Sequence, residues 1–491
     1  MGWLTALLAL PLVGFVVLLA IPGRATGAVR LWANAVLLGG LALAAPLWTA
    51  FDRGAGGYQF VERMPWIPLL GAQYLVGIDG ISLLLVLLTA LLGPVAALAS
   101  WNAIRERAKE FYAMLLLLQF GMLGLFLSLD ILLFFVFFEL VLVPMYFLIG
   151  IWGGERRLYA AMKFFLYTVA GSVVLLVGIV ALYWQGGQQL GRATFEVTEL
   201  LRAQLPVETQ RWLFWAFFLG FAIKVPMVPF HTWLPDAHTE APTAGSVLLA
   251  GVLLKMGTYG FIRLSLPLFP DAAREAAPVL GALSMVAIVY GALICLAQQD
   301  WKRLVAYSSV SHMGFCTLGL AAMNSNGLAG SVLQQLNHGI STSLLFLLVG
   351  FVYERRHTRQ IGDFGGLAMV MPRFAFVFAV AMFSSAGLPL LNGFIGEFTI
   401  LQGVFVVNRT WAAVAVGGIV LGAAYLLWLY QRTMLGDLRN EANRGLADLT
   451  AREWATVLPL LGLAVAIGVY PQPWFAVLER PVLELAGRLG R

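Results

Sequence analysis

The feature that most constrains this chain is a succession of apolar runs, each about 20 residues long, the length of a membrane-spanning helix. Fourteen such runs recur along the 491 residues. The chain is 60% hydrophobic and 11% charged, whereas soluble domains carry about 25% charged residues. The sequence therefore predicts an all-α polytopic membrane protein. The predicted helices, numbered 1 to 14, cover residues 3–22, 30–51, 80–101, 111–129, 131–153, 160–184, 211–230, 240–263, 277–297, 302–323, 327–353, 372–405, 410–434 and 452–472.

Several common functions are disfavoured by the composition. The two cysteines, Cys295 and Cys316, lie in apolar segments without CxxC spacing, whereas an iron–sulfur cluster needs about four thiolates. No GxGxxG motif follows a predicted strand. The net charge of +6 is spread over loops, so we expect no nucleic acid partner. The first apolar run has no basic residue before Arg24 and is expected to be a retained helix rather than a signal peptide. We expect neither a cofactor nor a metal in this chain.

The loops differ in basic residues, and this difference predicts the orientation. Cytoplasmic loops of membrane proteins are enriched in lysine and arginine. Loops after odd-numbered helices carry 15 of these residues and loops after even-numbered helices carry 6. We therefore expect the odd loops in the cytoplasm and both termini on the opposite side. The localisation expected from the resemblance described below is a bacterial-type inner (plasma) membrane.

Two helices are interrupted at corresponding places. Helix 7 is broken near Pro226–Pro229 and helix 12 near Pro389–Gly393. Each would be the fourth member of a five-helix unit, and an odd helix number makes the second unit inverted. Paired interrupted helices indicate a transport path. The predicted division is residues 1–110 (helices 1–3), 111–263 and 277–434 (two inverted repeats, each a proton half-channel) and 435–491 (helix 14 and an amphipathic tail).

The stretch from Phe221 to Gly260 places lysines inside the membrane. Lys224 is 13 residues past Arg211, roughly 20 Å along a helix at 1.5 Å per residue. Lys255 lies similarly deep in the next apolar run. A lysine at that depth costs about 2.5–3.5 kcal/mol on insertion scales. A broken helix beside such a residue is tolerated only where protein or water satisfies its backbone, which favours an ion path.

Two glutamates complete a set of four buried charges. Glu139 lies in the middle of helix 5, and Glu397 lies four residues beyond Gly393 in helix 12. Burying four such residues costs on the order of 10–14 kcal/mol, which is more than a purely structural role explains. We expect Glu139 and Lys224 to form an ion pair that opens and closes, which would switch the affinity of each for a proton.

Further polar residues lie near these charges, and each has two interpretations. His312 and His338, on helices 10 and 11, are surrounded by serine, threonine, asparagine and glutamine. They would relay protons between Lys255 and Glu397 or form structural hydrogen bonds. His231 and His238, placed at the turn between helices 7 and 8, would mark a proton entrance or cap a loop. Lys163 on helix 6 would support Glu139 or extend to the membrane surface. The polar segment Asp300, Lys302 and Arg303 is predicted to be a solvated helix start.

Five motifs carry a family resemblance. FFELVLVPMY, KVPMVPFHTWLPDAHTEAPTAGSVLLAGVLLKMG, SSVSHMGF, LNHGIS and GLPLLNGFIGEF resemble the antiporter-like subunits of respiratory NADH:quinone oxidoreductase (complex I). The resemblance covers about residues 110–430. Related subunits occur in multisubunit cation/proton antiporters. L-type and N-type members have lysine at the helix 12 position, so Glu397 makes this chain most similar to the M-type branch.

The resemblance implies a fold of fourteen helices with two inverted five-helix repeats, and it implies specific roles. Glu139 and Lys224 would be the helix 5–helix 7 pair, with Lys255 the central proton site. The histidines would connect that site to Glu397, the terminal site. NADH oxidation, with FMN, iron–sulfur clusters and quinone, would take place in partner subunits. The implied partners are other membrane-arm subunits, including sister antiporter-like subunits, together with the lipid bilayer and protons.

Three functions remain as alternatives on the sequence. The first is a proton-translocating subunit of a redox-driven NADH:quinone oxidoreductase. The second is a subunit of a cation/proton antiporter, which performs no redox chemistry. The third is a structural spacer in the membrane. Glu397 argues against the second function, and the four buried charges argue against the third.

Overall fold

The computed structural model describes residues 2–490 and confirms an all-α polytopic architecture. Within that range, twelve helices are long and apolar enough to cross a membrane. The two remaining predicted spans are the interrupted ones. The spanning helices are α1 (Trp3–Ala20), α2 (Thr26–Ala44), α3 (Gly80–Ala99), α4 (Ala108–Leu127), α5 (Ile131–Trp152), α6 (Arg157–Leu190), α7a (Val207–Lys224), α7b (Trp233–Glu240), α8 (Thr243–Leu268), α9 (Pro270–Ala297), α10 (Trp301–Ala322), α11 (Ser325–Arg356), α12a (Pro372–Ser385), α12b (Asn392–Val407), α13 (Arg409–Met434) and α14 (Ala451–Val469).

The seventh helix is interrupted, as predicted, but its second half was assigned wrongly. The predicted turn between helices 7 and 8 is in fact the short helix α7b. Residues 225–232 separate it from α7a, which ends at Lys224. Pro235 falls in the first turn of α7b, where a missing N–H leaves no hydrogen bond unmade. A proline-rich stretch therefore contains a helix rather than a loop.

The twelfth helix is interrupted at residues 386–391, between α12a and α12b. Gly393 lies where the two halves touch, because a Cβ there would come within 2.0 Å of the Ser384 carbonyl oxygen. Leu390 has a φ of 74°, a left-handed conformation that costs about 1–2 kcal/mol for a residue with a Cβ. The interruption is thus a specific backbone structure rather than a frayed helix end.

The eighth helix contains two π-helical segments that the sequence did not predict. Leu249–Leu253 and Phe261–Ser265 are π-helical, and Leu254–Gly260 between them is α-helical. In a π segment each N–H bonds to the carbonyl five residues back, which shifts the register of the side chains. Such segments occur mostly at functional sites. Lys255 is the second residue after the first π segment.

The loops after odd-numbered helices meet on one side of the molecule, called here the odd-loop face. Gly154 N donates to Glu240 O at 2.9 Å, which joins the loops after α5 and α7. Trp301 N donates to Arg359 O at 2.9 Å, which joins the loops after α9 and α11. This grouping agrees with the predicted alternation of the helices across the membrane.

The loops after even-numbered helices form the opposite, even-loop face, which contains a hairpin that was not predicted. Strands β1 (Gln59–Ile67) and β2 (Ala72–Ile78) pair antiparallel between α2 and α3. Glu62 of β1 accepts a hydrogen bond from Leu4 N at 2.7 Å. A carboxylate at a helix N-terminus stabilises the orphan N–H groups there, so the hairpin holds the start of α1 on this face.

The predicted amphipathic tail is helix α15 (Gln472–Leu489), and it also lies on the even-loop face. Residue 491 of the predicted tail is outside the described residues. α15 buries Val477, Leu478 and Val482, and its Leu489 carbonyl accepts from Arg274 Nη1 at 3.1 Å. The beginning of α1 and the end of α15 therefore lie on the same face, as an even number of crossings requires.

The orientation gives the first testable prediction. Cysteines replacing Arg105 on the odd-loop face and Arg202 on the even-loop face should label from opposite sides of the membrane, because both side chains are exposed. With the buried Cys295 and Cys316 replaced by alanine, a membrane-impermeant maleimide should reach position 105 from the cytoplasm. It should reach position 202 from the other compartment. Labelling of position 105 only from the other compartment would reverse the assigned orientation.

Candidate functional site

Four titratable side chains from four helices form one buried line. Lys255 Nζ of α8 lies 2.7 Å from His338 Nδ1 of α11. The His338 ring centroid is 5.9 Å from that of His312 on α10. His312 Nδ1 lies 2.9 Å from Glu397 Oε1 of α12b. The structure thus brings together the four residues that the sequence placed in one relay.

The Lys255 ammonium occupies a site prepared by the first π segment. Its Nζ donates to the carbonyl oxygen of Ala250, which lies within that segment. The side chain is 0% exposed, so the ammonium has protein partners in place of bulk water. An unpaired buried charge would be far more costly. The irregular helix therefore supplies an acceptor that a regular α-helix would use for its own backbone.

The carboxylate of Glu397 is held by polar groups at the other end of the line. Gln334 Nε2 donates to Glu397 Oε1 at 3.0 Å. Glu397 is buried and does not face lipid, as expected for a residue beside a broken helix. The observed break precedes α12b rather than lying at Gly393, so Glu397 sits in the second turn of that half-helix.

Hydrogen bonds from α11 to α12a and α12b lie on either side of the interruption in α12. Asn337 Nδ2 donates to Asn392 O at 2.7 Å, and Ser341 Oγ lies 2.5 Å from Ser384 Oγ. The polar run around the histidines therefore includes structural hydrogen bonds, one of the two predicted roles.

Several polar atoms in the same region have no protein partner within residues 2–490. They are His338 Nε2, Gln334 Oε1, Gln335 Nε2, Asn337 Oδ1 and Thr342 Oγ1. Buried polar atoms are nearly always hydrogen-bonded to protein or to ordered water. Their clustering beside the two histidines indicates sites for water along the line, which is what the second predicted role, proton relay, requires.

The predicted pair of Glu139 and Lys224 is open in this structure. Neither Glu139 Oε1 nor Lys224 Nζ has a hydrogen-bond partner among the described residues. The ammonium lies 4.7 Å from the centroid of the Phe138 ring, a distance typical of a cation–π contact. Both residues lie at backbone irregularities: Glu139 precedes the interruption of α5 at Val141, and Lys224 ends α7a. The two side chains therefore do not form an ion pair in this structure.

The remaining predicted residues surround the short helix α7b. His231 lies in the break before it, with its ring edge-on to Tyr290 at 5.2 Å. His238 lies on α7b itself, so the prediction that both histidines lie in the turn between helices 7 and 8 is wrong. Lys163 is 2.7 Å from Asp236 Oδ2 and therefore anchors α6 to α7b. Lys163 pairs with this carboxylate rather than with Glu139.

Two clusters were missed by the sequence analysis. Lys302 is buried rather than solvated, although Asp300 does cap α10 by accepting from Arg303 N at 3.0 Å. No spacing signal marked Lys302, because the ten residues between it and His312 are about 2.8 helical turns and leave the two roughly 80° apart around α10. The second cluster, on the even-loop face, pairs Arg263 Nη2 with Asp79 Oδ1 at 2.7 Å.

Asp79 lies at the start of α3, and two effects shift the pKa of its carboxyl in opposite directions. Burial raises this pKa, but the Arg263 guanidinium and hydrogen bonds involving Ser82 more than reverse that, so the pKa lies below its usual value. The carboxylate is therefore ionised at neutral pH. Its contribution to stability is present above the pKa of an unfolded aspartate and is lost as the pH falls through the lowered value.

Metal ligands are not clustered in the described part of the chain. No group of three or more His, Cys, Asp or Glu residues is placed to hold a metal ion within residues 2–490. The lysine, histidine and glutamate side chains of the buried line can each take up and release a proton. A membrane protein with broken helices and a buried titratable line belongs to the general class of ion-translocating membrane subunits.

Comparisons with known proteins specify the family. Residues 128–422 match the family described as "NADH:quinone oxidoreductase/Mrp antiporter, TM", and residues 61–128 match "NADH-ubiquinone oxidoreductase chain 4, amino terminus". NADH-quinone oxidoreductase subunit M of Rhodobacter capsulatus is 47% identical over 439 residues, covering 87% of this chain and 84% of the relative. The chain therefore belongs to the NADH:quinone oxidoreductase/Mrp antiporter family, within its subunit M branch.

Solved structures agree with this assignment. A chain of respiratory complex I from Thermus thermophilus superposes with a TM-score of 0.91 at 32% identity, covering 99% of this chain and 100% of that one. A chain of the Mrp complex from Dietzia sp. DQ12-45-1b gives a TM-score of 0.87 at 22% identity, covering 98% and 97%. The second match shows the shared fold alone.

Proposed function

We propose that this chain is a proton-translocating membrane-arm subunit of a redox-driven NADH:quinone oxidoreductase. The observation that carries the proposal is the buried line of Lys255, His338, His312 and Glu397. Its polar contacts of 2.7 and 2.9 Å are short enough for proton transfer. The relatives' names and the family match support the assignment of this line to complex I.

Protons move along the line by exchange between neighbours. Lys255 gives a proton to His338 Nδ1, and a water between the two imidazoles carries it to His312. His312 Nδ1 then donates to the Glu397 carboxylate, which releases the proton toward the far side. Each five-helix unit, residues 111–263 and 277–434, acts as one half-channel. Glu397 lies on the second inverted unit, so the line joins the two units.

The pair of Glu139 and Lys224 acts as the switch for this movement. At a separation of 4 Å, opposite charges attract by about 4 kcal/mol at an effective dielectric constant of about 20. Closing the pair holds the proton on Lys224, and opening it, as in this structure, releases that proton. A buried ammonium without a carboxylate favours deprotonation. Lys163 holds α7b through Asp236 and His231 lies in the break before α7b, so both support the segment that follows Lys224.

The electron-transfer chemistry belongs to partner subunits in this proposal. FMN, iron–sulfur clusters and quinone are assigned to them, and this chain contributes no redox centre. The partners are other membrane-arm subunits, including sister antiporter-like subunits. One face of α6 exposes Leu166, Val173, Val177 and Val180 by more than half, which suits contact with lipid or a neighbouring membrane subunit. The membrane is a bacterial-type inner membrane.

Membership of a cation/proton antiporter is the alternative, because the Mrp complex shares the fold. The 47% identity to a complex I subunit over most of both chains favours the redox complex. Affinity purification from native membranes distinguishes the two. Flavin and iron–sulfur subunits should co-purify under the proposed function, and purification with antiporter subunits alone would contradict it.

The switch gives a double-mutant prediction. Glu139→Gln and Lys224→Ala should each lower NADH-driven proton uptake into vesicles and quinone reduction by at least about tenfold, because positioned proton-transfer groups contribute roughly 10²–10⁴-fold. The double variant should lose less than the product of the two single effects, since each partner fails without the other. Normal coupled activity of either single variant, with the complex assembled, would contradict the switch.

The terminal site gives a prediction about ionisation. Glu397→Gln keeps the shape and the contact with Gln334 but removes the titratable group, so proton uptake during NADH oxidation should fall at least about tenfold. Glu397→Lys should be milder, because a lysine also carries a proton and sister subunits have one at this position.

Glu479→Gln is the matched control, since Glu479 is exposed on α15 and far from the buried line in sequence and position. It should pump like the parent complex, and a native gel should show equal assembly of all three variants. Wild-type pumping by Glu397→Gln would make Glu397 structural and would remove the terminal step from the proposed mechanism.

A further inference from the structure

A polar cavity opens on the odd-loop face and is not used by the mechanism described so far. Its volume is about 470 Å³, enough for several water molecules. Charged and titratable groups among its lining residues are Arg105, Glu240, Lys302, Glu354, His357 and Arg359. His357 and Arg105 are exposed at its rim, whereas Lys302 is buried. The cavity therefore leads from the aqueous side to a buried ammonium.

Lys302 lies at the inner end of this cavity. Its side chain is 8% exposed, and its Nζ donates to the carbonyl oxygen of Ala241, which ends α7b. Lys302 is on α10, the helix that also holds His312. Ten residues between them correspond to roughly 15 Å along the helix axis. Lys302 thus lies between the aqueous cavity and the membrane depth at which the buried line is found.

His238 lies within reach of the charges of both Lys302 and Lys255. It lies three residues before Ala241 on α7b and is 0% exposed, with its ring stacked on Phe346 at 4.7 Å. The charges of Lys302 and Lys255 both act on this imidazole. Neither of its ring nitrogens has a partner within residues 2–490. A buried imidazole with two free nitrogens indicates water on both sides.

The connection between α7b and α10 that a structural Lys302 would provide is already made by Arg359. Arg359 Nη1 donates to Thr239 O at 2.6 Å, and Arg359 Nε lies 3.1 Å from Asp300 Oδ2. Arg359 therefore already fixes the end of α7b to the start of α10. The hydrogen bond from Lys302 to Ala241 adds little to that connection, whereas burying the Lys302 ammonium is costly.

We propose that Lys302 is the proton entry group of this chain and that His238 carries protons from it to Lys255. This inference rests on the proposed function. The Lys302 ammonium gives one proton to a water, which protonates one nitrogen of His238. His238 releases a proton from its other nitrogen through a second water to neutral Lys255. Neutral Lys302 then takes a proton from cavity water, beside the carboxylates of Glu240 and Glu354.

The test uses two substitutions at Lys302 in the assembled complex. Lys302→Met removes the titratable group, and Lys302→Arg keeps the positive charge and a donor for Ala241 but cannot release a proton at physiological pH. Both variants should lower proton uptake per vesicle at least about tenfold, as expected for loss of a positioned proton carrier. Arg303→Met is the matched control, because Arg303 is adjacent and exposed, and it should pump normally.

Rescue by Lys302→Arg would overturn the proposal, because a structural cation needs no deprotonation. Normal pumping by Lys302→Met would also overturn it. Proton uptake by the Glu397→Gln complex, measured in parallel, distinguishes failure of the entry path from failure of the proposed function. If Glu397→Gln is impaired and Lys302→Met is normal, the entry path alone is wrong. If both pump normally, the proposed function is wrong.

Chemical restoration provides a test that does not depend on the stability of Lys302→Met. In a background without Cys295 and Cys316, Lys302→Cys should be inactive in pumping. 2-Aminoethyl methanethiosulfonate, entering through the cavity, attaches an aminoethyl group by a disulfide and should restore proton uptake at least about threefold, part of the loss expected for this carrier. Methyl methanethiosulfonate restores no amine and should leave pumping low. Equal restoration by both reagents would contradict a proton-carrying role.

Discussion

The structure depends on one constraint: titratable groups placed in the middle of a membrane must keep partners without bulk water. Lys255 shows how this is met, because its ammonium contacts a carbonyl of the π segment and the imidazole of His338. Glu397 is held in the same way by His312 and Gln334. Each partner that stabilises a charge is also a group to which a proton can pass, so the proposed proton path uses the same contacts that stabilise the buried charges.

The broken helices follow from this constraint. In hydrocarbon an unpaired backbone group costs several kcal/mol, so an interruption survives only where side chains replace the missing bonds. Asn337 and Asn392 hold α11 against α12b beside the break of α12, and Lys163 with Asp236 fixes α7b beside the break of α7. The interruptions and the buried charges therefore support each other in both inverted units.

Much of this could be predicted from the sequence, because apolar runs, intramembrane charges and prolines act locally. Glu139, Lys224 and Glu397 were identifiable as charges within such runs. The features that the sequence did not predict depend on tertiary contacts. The hairpin between α2 and α3 has weak patterning, and the π segments have no local signal. His238 was placed in a turn because the stretch around it is rich in proline, and Lys302 was placed in a solvated helix start because its neighbours Asp300 and Arg303 are charged.

The central claim is that protons cross the chain through the line that begins at Lys255. The most direct test is the number of protons taken up per NADH oxidised by vesicles that contain the Lys255→Met complex, with assembly checked on a native gel. Methionine keeps the volume but cannot carry a proton, so the account predicts that the assembled complex loses proton uptake. An assembled Lys255→Met complex with the same proton-to-NADH ratio and rate as the parent would contradict the account.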